Sequence, residues 1–524
     1  MGYWTRFWAA ALLGTGVACT AGAQPVEEPL RFPITAFEIE GALPLPAEQV
    51  RSLLAPYHLP GGTLDTLGAA TEALERALQA AGWGLYRLSL PPQNLTGTVQ
   101  LRVLRFELGS VEVQGNRRRD ATQVLRALPV LAPGTTPNLH GLAIQTALAN
   151  DNPAQHLNVT LKASDQDDKV DALVQVTEAP DWSANLLWSN TGNPSSGRER
   201  LTGVLSHHNL WGLDHQAQLA YTTSLTQPSR VSQWGLMYRV PVAAKGESWG
   251  VSASVSDVVG DFGAFTSQGG GQALGLSWSR HLAPEGQRRA WWSATWDLKW
   301  FSAGQTTAAG VVVPSTARGR LSVPLSLGHN SRWSDGPVQT VLGVEAVLQF
   351  GGATRLAAYQ SENPGISRAR WAALKVQATH RRPLWTVWQV DARAQGQWAS
   401  TALLAGEQFG VGGAQSVRGM SERPLAADSG VQATLEISRS LGAPAWRGFV
   451  FADAAWLHNH AASATGRVAA DHVASVGLGL RYSDQAHRQL VLGYGQVVNG
   501  SVAPFSAAPR QGDTRWHVSA ALRF

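Results

Sequence analysis

From residue 181 to the last residue, the chain alternates apolar and polar residues over stretches too long for an ordinary soluble sheet. In Trp388–Trp398, the residues Trp388, Val390, Ala392, Ala394, Gly396 and Trp398 form one face. Gln389, Asp391, Arg393, Gln395 and Gln397 form the other. Val338, Thr340, Leu342, Val344, Ala346, Leu348 and Phe350 repeat the pattern against Gln339, Glu345 and Gln349. Alternation alone fits a soluble sandwich as well as a membrane barrel. Strand length and aromatic placement separate them: about 9–11 residues cross a bilayer, and interfacial aromatics mark the ends. The chain ends Trp516-x-Val518-x-Ala520-x-Leu522-x-Phe524, a terminal strand closed by an aromatic. Of the 21 tryptophans, 18 lie at or beyond Trp182. About sixteen such segments fit this region at roughly 21 residues each with their connections, an even number as antiparallel closure requires. The fold class expected is an all-β transmembrane barrel over residues 180–524 with a water-filled lumen.

Residues 1–23 read as a signal peptide. Arg6 precedes an apolar run from Phe7 to Ala18, and Ala21-Gly22-Ala23 is a small-x-small cleavage site. Cys19 is the only cysteine, so the mature chain has neither disulfide nor thiolate metal site. No later run of 18 apolar residues spells a membrane helix. Charged residues make up only 15%, against the roughly 25% usual for soluble domains. The net charge of +5 comes with 37 Arg against 5 Lys and no lysine-rich tract, which argues against nucleic acid. The one dense basic stretch, Arg117-Arg118-Arg119, reads as a solvated turn.

Between signal and barrel the sequence holds two copies of one unit. Phe37-Glu38-Ile39-Glu40-Gly41 and Val111-Glu112-Val113-Gln114-Gly115 match, 74 residues apart. In the first copy, Pro46–Leu54 and Asp65–Ala81 read as helices, the latter with Leu67, Ala70, Leu74, Leu78 and Ala81 on one face and Gly82 as its stop. Leu85–Leu90 and Thr98–Leu104 read as strands. In the second, Asp120–Leu128 and Leu139–Ala149 read as helices, and His156–Ala163 and Val170–Glu178 as strands. The expectation is two small α+β domains, 24–105 and 106–179, suited to docking. Neither carries a catalytic cluster.

No phosphate loop or nucleophile elbow appears in the chain, and no cofactor is expected. His207-His208 and His458-x-His460 lack the third and fourth convergent ligands of a metal site and read as polar strand ends. The informative segment runs from Glu407 through Gly412, Gly413, Val417, Arg418 and Gly419 to Met420. It sits in a long connection whose glycines permit a fold back into the lumen. The strand Phe449–Leu457 would send Val450, Ala452, Ala454 and Trp456 to lipid. That leaves Phe449, Phe451, Asp453, Ala455 and Leu457 inside, an acid among aromatics in a polar channel. Either Arg418 docks on Asp453 there, or Asp453 is merely solvated.

Gly412-Gly413…Val417-Arg418-Gly419 with Glu407 resembles the loop signature of the outer-membrane assembly and secretion superfamily. Phe451-x-Asp453 resembles its partner strand motif. With two POTRA-like repeats ahead of a sixteen-stranded barrel, the whole resembles the TpsB transporters of two-partner secretion, the haemolysin-activation type. Asn152-Pro153, Gly430, Glu436 and Val476–Arg481 fall where that family has similar residues. Met420 stands where the family has an aromatic and Ala455 where it has a glycine. Met420 can still pack against aromatics such as Phe449 and Phe451, while Ala455 puts close approach of the loop backbone in question. The resemblance implies a non-enzymatic translocation pore in the outer membrane of a Gram-negative bacterium, with periplasmic POTRA domains. The implied partners are a large secreted TpsA-like protein, exported unfolded, and outer-membrane lipid around a monomeric barrel. Alternatives are an assembly factor of the BamA or TamA type, or a passive porin or barrel enzyme. Only seven residues, Gln24–Leu30, precede the first repeat, so the Arg418 loop rather than an N-terminal plug is expected to obstruct the lumen.

Overall fold

The structure is a computed structural model that describes residues 30–192, 197–256, 260–261, 266–267, 271–301, 306–308, 311–313, 319–351, 355–462, 467–484 and 487–524. The signal-peptide residues 1–23, and all of Gln24–Leu30 but Leu30, lie outside the described residues.

The first repeat is a three-stranded sheet with two helices. Ala36–Glu40 runs parallel to Thr98–Arg105, which has Tyr86–Ser89 on its other side. The helix Leu64–Ala80 buries Leu67, Ala70, Leu74 and Leu78, the stripe its 3.6-residue period predicts. Val99 and Leu101 complete this core with no measurable exposure. Leu88 N–H donates to Glu75 of the helix at 2.8 Å, tying sheet to helix.

The second repeat has the same order. Glu107–Gln114 runs parallel to Lys169–Glu178, and Gln155–Ala163 pairs antiparallel on the far side. Asp120 caps the helix Ala121–Arg126 through Gln123 N–H, and Asn138 caps Leu139–Ala149 through Gly141 N–H. The first strand starts four residues earlier than the alternation from Val111 suggests. A bulge between Leu108 and Val111 hides the continuity: Ser110 turns its N–H and hydroxyl to Asp171, both at 2.7 Å, while Leu108 stays in the core.

One feature of this repeat corrects the sequence reading. Arg117 and Arg118 are exposed, but Arg119 is buried, 3% exposed. Its guanidinium reaches Asp181 at 2.8 Å, at the start of the barrel, and Asp214 at 3.5 Å, in the turn between the strands Arg200–Leu210 and His215–Thr223. The backbone N–H groups of Arg117, Arg118 and Arg119 all donate to Glu178, at 3.0, 2.6 and 3.0 Å. Asn152 adds a bond to the His208 carbonyl at 2.8 Å. The basic run is therefore a joint between the second repeat and the barrel.

Among the described residues the barrel has sixteen antiparallel strand positions, with Arg320–Ser322 and Pro324–Asp335 in line as one. It closes where Thr514–Arg523 pairs with Trp182–Ser189. No described helix is long and apolar enough to cross a membrane; the crossing elements are strands. Outward residues are bare and apolar: Trp398 is 61% exposed, Trp456 56% and Val450 53%. An apolar residue left open on a folded chain belongs against lipid here, because the opposite face of each strand lines the lumen.

Candidate functional site

The segment from Thr401 to Asp428 folds back into the barrel. Phe409–Val411 pairs with Leu425–Ala427 as a short hairpin, and the tip carries Arg418 to the wall. Arg418 grips Asp453 with both arms of its fork: Nε to Oδ2 and Nη2 to Oδ1, each 2.8 Å. Its backbone N–H also donates to Asp453 Oδ2 at 3.0 Å. Nη1 reaches Glu436 at 3.1 Å, and Arg481 holds the other Glu436 oxygen at 3.0 Å. The four charges alternate in sign and sum to zero. Arg418 Cζ lies 3.3 Å from the centroid of the Phe451 ring and 6.0 Å from that of Phe449. Asp453, Glu436 and Arg418 are all buried, so each depends on the others: removing one partner of such a set costs about 3–5 kcal/mol.

Local sequence explains why this corner can form. Phe449 and Phe451 face inward, and their neighbours in register are Gly479 and Gly477. Any Cβ at those glycines would strike the two rings, so the glycines are the floor on which the aromatics lie. Gly419 has φ +90, and its N–H donates to His517 Nε2 at 3.0 Å. Its Cα sits so near the backbone of Gly495 that a Cβ on Gly495 would be 2.6 Å from Gly419 N. His517 and Gly495 are site residues that motif reading missed. Each is a single residue on a strand far along the chain, with no local pattern to mark it.

The two departures from the family pattern are accommodated. Ala455 is fully buried in an aliphatic cluster with Val411, Val417, Leu425, Leu457, Val473 and Val497. Its methyl supplies packing, and the close backbone approach occurs at Gly495 instead. Met420 belongs to this same cluster, with Phe409 beside it, rather than lying over Phe449 and Phe451, which Arg418 already covers. Gly412 and Gly413, at φ +108 and +105, make the turn into the tip.

Glu407 is not part of the Arg418 corner. It is buried at the base of the loop, where Lys299 Nζ approaches its oxygens at 3.2 and 3.3 Å and Ser322 donates at 3.3 Å. Ser416 binds Gln432 on the wall. The loop is thus fixed at both arms. Beside it the lumen keeps a cavity of about 990 Å³, lined by residues of the strands from Ser232 to Pro383 together with Ala147 and Asp151 of the second repeat.

The candidate histidines serve the wall. His208 Nε2 lies 3.0 Å from Ser183 Oγ, and His460 bonds the Ala399 carbonyl and, through its N–H, Asp428. Among the described residues no group of three metal-ligating side chains converges.

The barrel folds its own loop inward and clamps it by a buried arginine, behind two small α+β repeats. Residues 169–482 match the haemolysin secretion/activation protein family ShlB/FhaC/HecB, and residues 32–105 match the ShlB-type POTRA domain. The chain belongs to the ShlB/FhaC/HecB family, and with it to the outer-membrane transporters of two-partner secretion, whose POTRA domains are periplasmic. The outer membrane transporter CdiB of Escherichia coli is 24% identical over 471 residues, 82% of this chain and 73% of CdiB. The solved structure of CdiB from Escherichia coli aligns with TM-score 0.71 at 18% identity, over 97% of this chain and 93% of that one. BamA from Haemophilus ducreyi, lacking POTRA domains 1–3, shares the fold at TM-score 0.51 and 14% identity, over 94% of this chain and 100% of that one.

Proposed function

We propose that this chain captures a large exported partner protein in the periplasm and passes it, unfolded, through the barrel lumen to the cell surface. The domains we assign are 24–105 and 106–179 for capture and 180–524 for passage. Capture would use strand addition: Ala36–Glu40 and Gln155–Ala163 are edge strands of their sheets, and an extended chain can extend such an edge. Folding of the partner outside would bias its movement, since the sequence carries no phosphate-loop motif to drive it. The barrel works as a monomer in lipid, by transport rather than catalysis.

The observation that carries this reading is the buried fork of Arg418 on Asp453 inside the lumen. A secretion pore needs an obstruction that stays shut at rest and yields to cargo, and a loop held by an alternating charge network supplies one. The test is Arg418→Ala in cells that also make the partner. Partner in the medium should fall sharply while the barrel still inserts and stays heat-modifiable on gels. Undiminished export would overturn the reading of the site.

A further inference from the structure

We propose that the periplasmic mouth of the lumen binds an acidic stretch of the polypeptide in transit, through Arg289 and Arg332. This inference rests on the secretion reading above. Arg289 and Arg332 stand directly opposite each other on neighbouring strands, Arg288–Phe301 and Pro324–Asp335. Both are exposed and both line the lumen cavity. Like charges facing each other across a sheet, with Cβ atoms about 5 Å apart, are destabilising, and an acidic ligand between them would relieve the repulsion.

The rest of the cavity makes the pair stand out. Arg239 is held by Asp151 of the second POTRA-like domain at 2.9 Å, and His281 meets the same carboxylate at 2.9 Å. Deeper in, Lys299 lies between Glu407 and Asp297, at 3.2 and 3.8 Å, and Lys375 faces Glu345 at 3.9 Å. The acids nearest in sequence to the arginine pair are engaged elsewhere: Glu285 by Arg288 at 2.9 Å, and Asp335 by Gln287 at 3.1 Å. Among the described residues, Arg289 and Arg332 have no ion pair. The cavity is electrically matched in its depth and positive at its mouth.

Position decides the occupant. Asp151 and Ala147 border the same cavity, so a chain handed over from the second POTRA-like domain meets Arg289 and Arg332 on entering. Each guanidinium fork accepts a carboxylate in the bidentate geometry. An extended chain advances about 3.3 Å per residue, so alternate acidic side chains fall within reach of the two flexible arms. Because the pair is open to water, its hold is weak and screened by salt, as a site that must release its occupant requires.

The test uses the full chain in detergent and a fluorescent octaglutamate peptide, with octalysine and a Ser/Gly octamer as controls, read by anisotropy. Octaglutamate should bind better than either control and lose its hold at about 0.5 M salt, where the screening length is a few ångströms. Arg289→Gln with Arg332→Gln should weaken it on the order of tenfold, the scale of two lost solvent-exposed ion pairs. The double Lys variant should retain binding. Each single Gln variant provides a second reading, and heat-modifiable mobility reports folding of all of them. Equal octaglutamate binding by wild type and the Gln variants, or binding no better than octalysine, would overturn the inference. Export lost with Arg418→Ala would in that case leave the secretion reading standing.

Discussion

Arg418 Cζ sits 3.3 Å from the centroid of the Phe451 ring, while the same guanidinium forks onto Asp453, two residues along that strand. Residues two apart on a strand share a face, so one strand supplies the aromatic bed and the counter-charge together. The arrangement asks for a planar cation. Lysine carries the charge but lacks the fork and stacks poorly. Arg418→Ala should destabilise the loop by about 3–5 kcal/mol, since it leaves Asp453 and Glu436 buried with less compensation. Arg418→Lys should recover export only in part. Secreted partner measured against barrel level checks both; wild-type export by the Lys variant would show that charge alone suffices.

Gly495 should be as sensitive as Arg418 although it carries no chemistry. A methyl there would lie 2.6 Å from Gly419 N, a backbone atom that cannot step aside without moving the loop tip. Gly495→Ala is expected to raise conductance in planar bilayers and lower export. Gly493→Ala is the control, because its Cβ would meet nothing nearer than 3.9 Å. Equal effects from the two substitutions would refute the close approach.

The joint at Glu178 should respond to acid. Burial pushes this carboxyl up, but the N–H groups of Arg118, Arg119 and Arg117 together outweigh burial and hold it below its ordinary value of 4.5. A folded value below the unfolded one means the contact stabilises above about pH 4.5 and is lost as pH falls through the folded value. The protection factors of the amides at 117–119, each taken against the intrinsic exchange rate at that pH, should be high at neutral pH and fall as the pH drops below 4.5. Glu178→Gln should lower them at neutral pH and flatten the dependence.

Lys299 and Glu407 should hold the base of the loop independently of its tip. Glu407→Gln is expected to speed exchange around residues 405–411 while the amide of Arg418 remains protected. A double-mutant cycle with Lys299→Met should give a coupling of about 0.5–3 kcal/mol. Zero coupling would mean that Ser322 and the Gln397 bond to the Glu407 carbonyl do the holding.

Sequence periodicity reached the strands and both repeats because burial on one face writes itself every second or every 3.6 residues. The Arg418 loop was legible for another reason: its glycines and arginine are contiguous, and Asp453 stood out as an acid between aromatics. Arg119 was not legible. Its partner Asp214 is 95 residues away, and nothing local separates a buried arginine from its exposed neighbours Arg117 and Arg118. Gly495 and His517 were hidden in the same way. They matter through register alone, and register across a barrel is fixed only when every intervening strand is in place. Arg289 and Arg332 are a further case, ordinary as single residues and unusual only as a facing pair.

The two anchors of the loop lie far apart on the wall. Glu407 is held by the strand Arg288–Phe301, and Arg418 by Ala443–His458, six positions away in a ring of sixteen. The loop is therefore a tie across the ring as well as an occupant of its bore. A hydrogen-bonded ring of strands resists stretching around its circumference but flattens with little resistance, and a chord of fixed length limits that flattening. Freeing either end lets the cross-section change shape without breaking a single strand pairing. The bore and the roundness of the barrel are then one variable, and the lateral pressure of the surrounding membrane becomes an input to how readily a chain can pass.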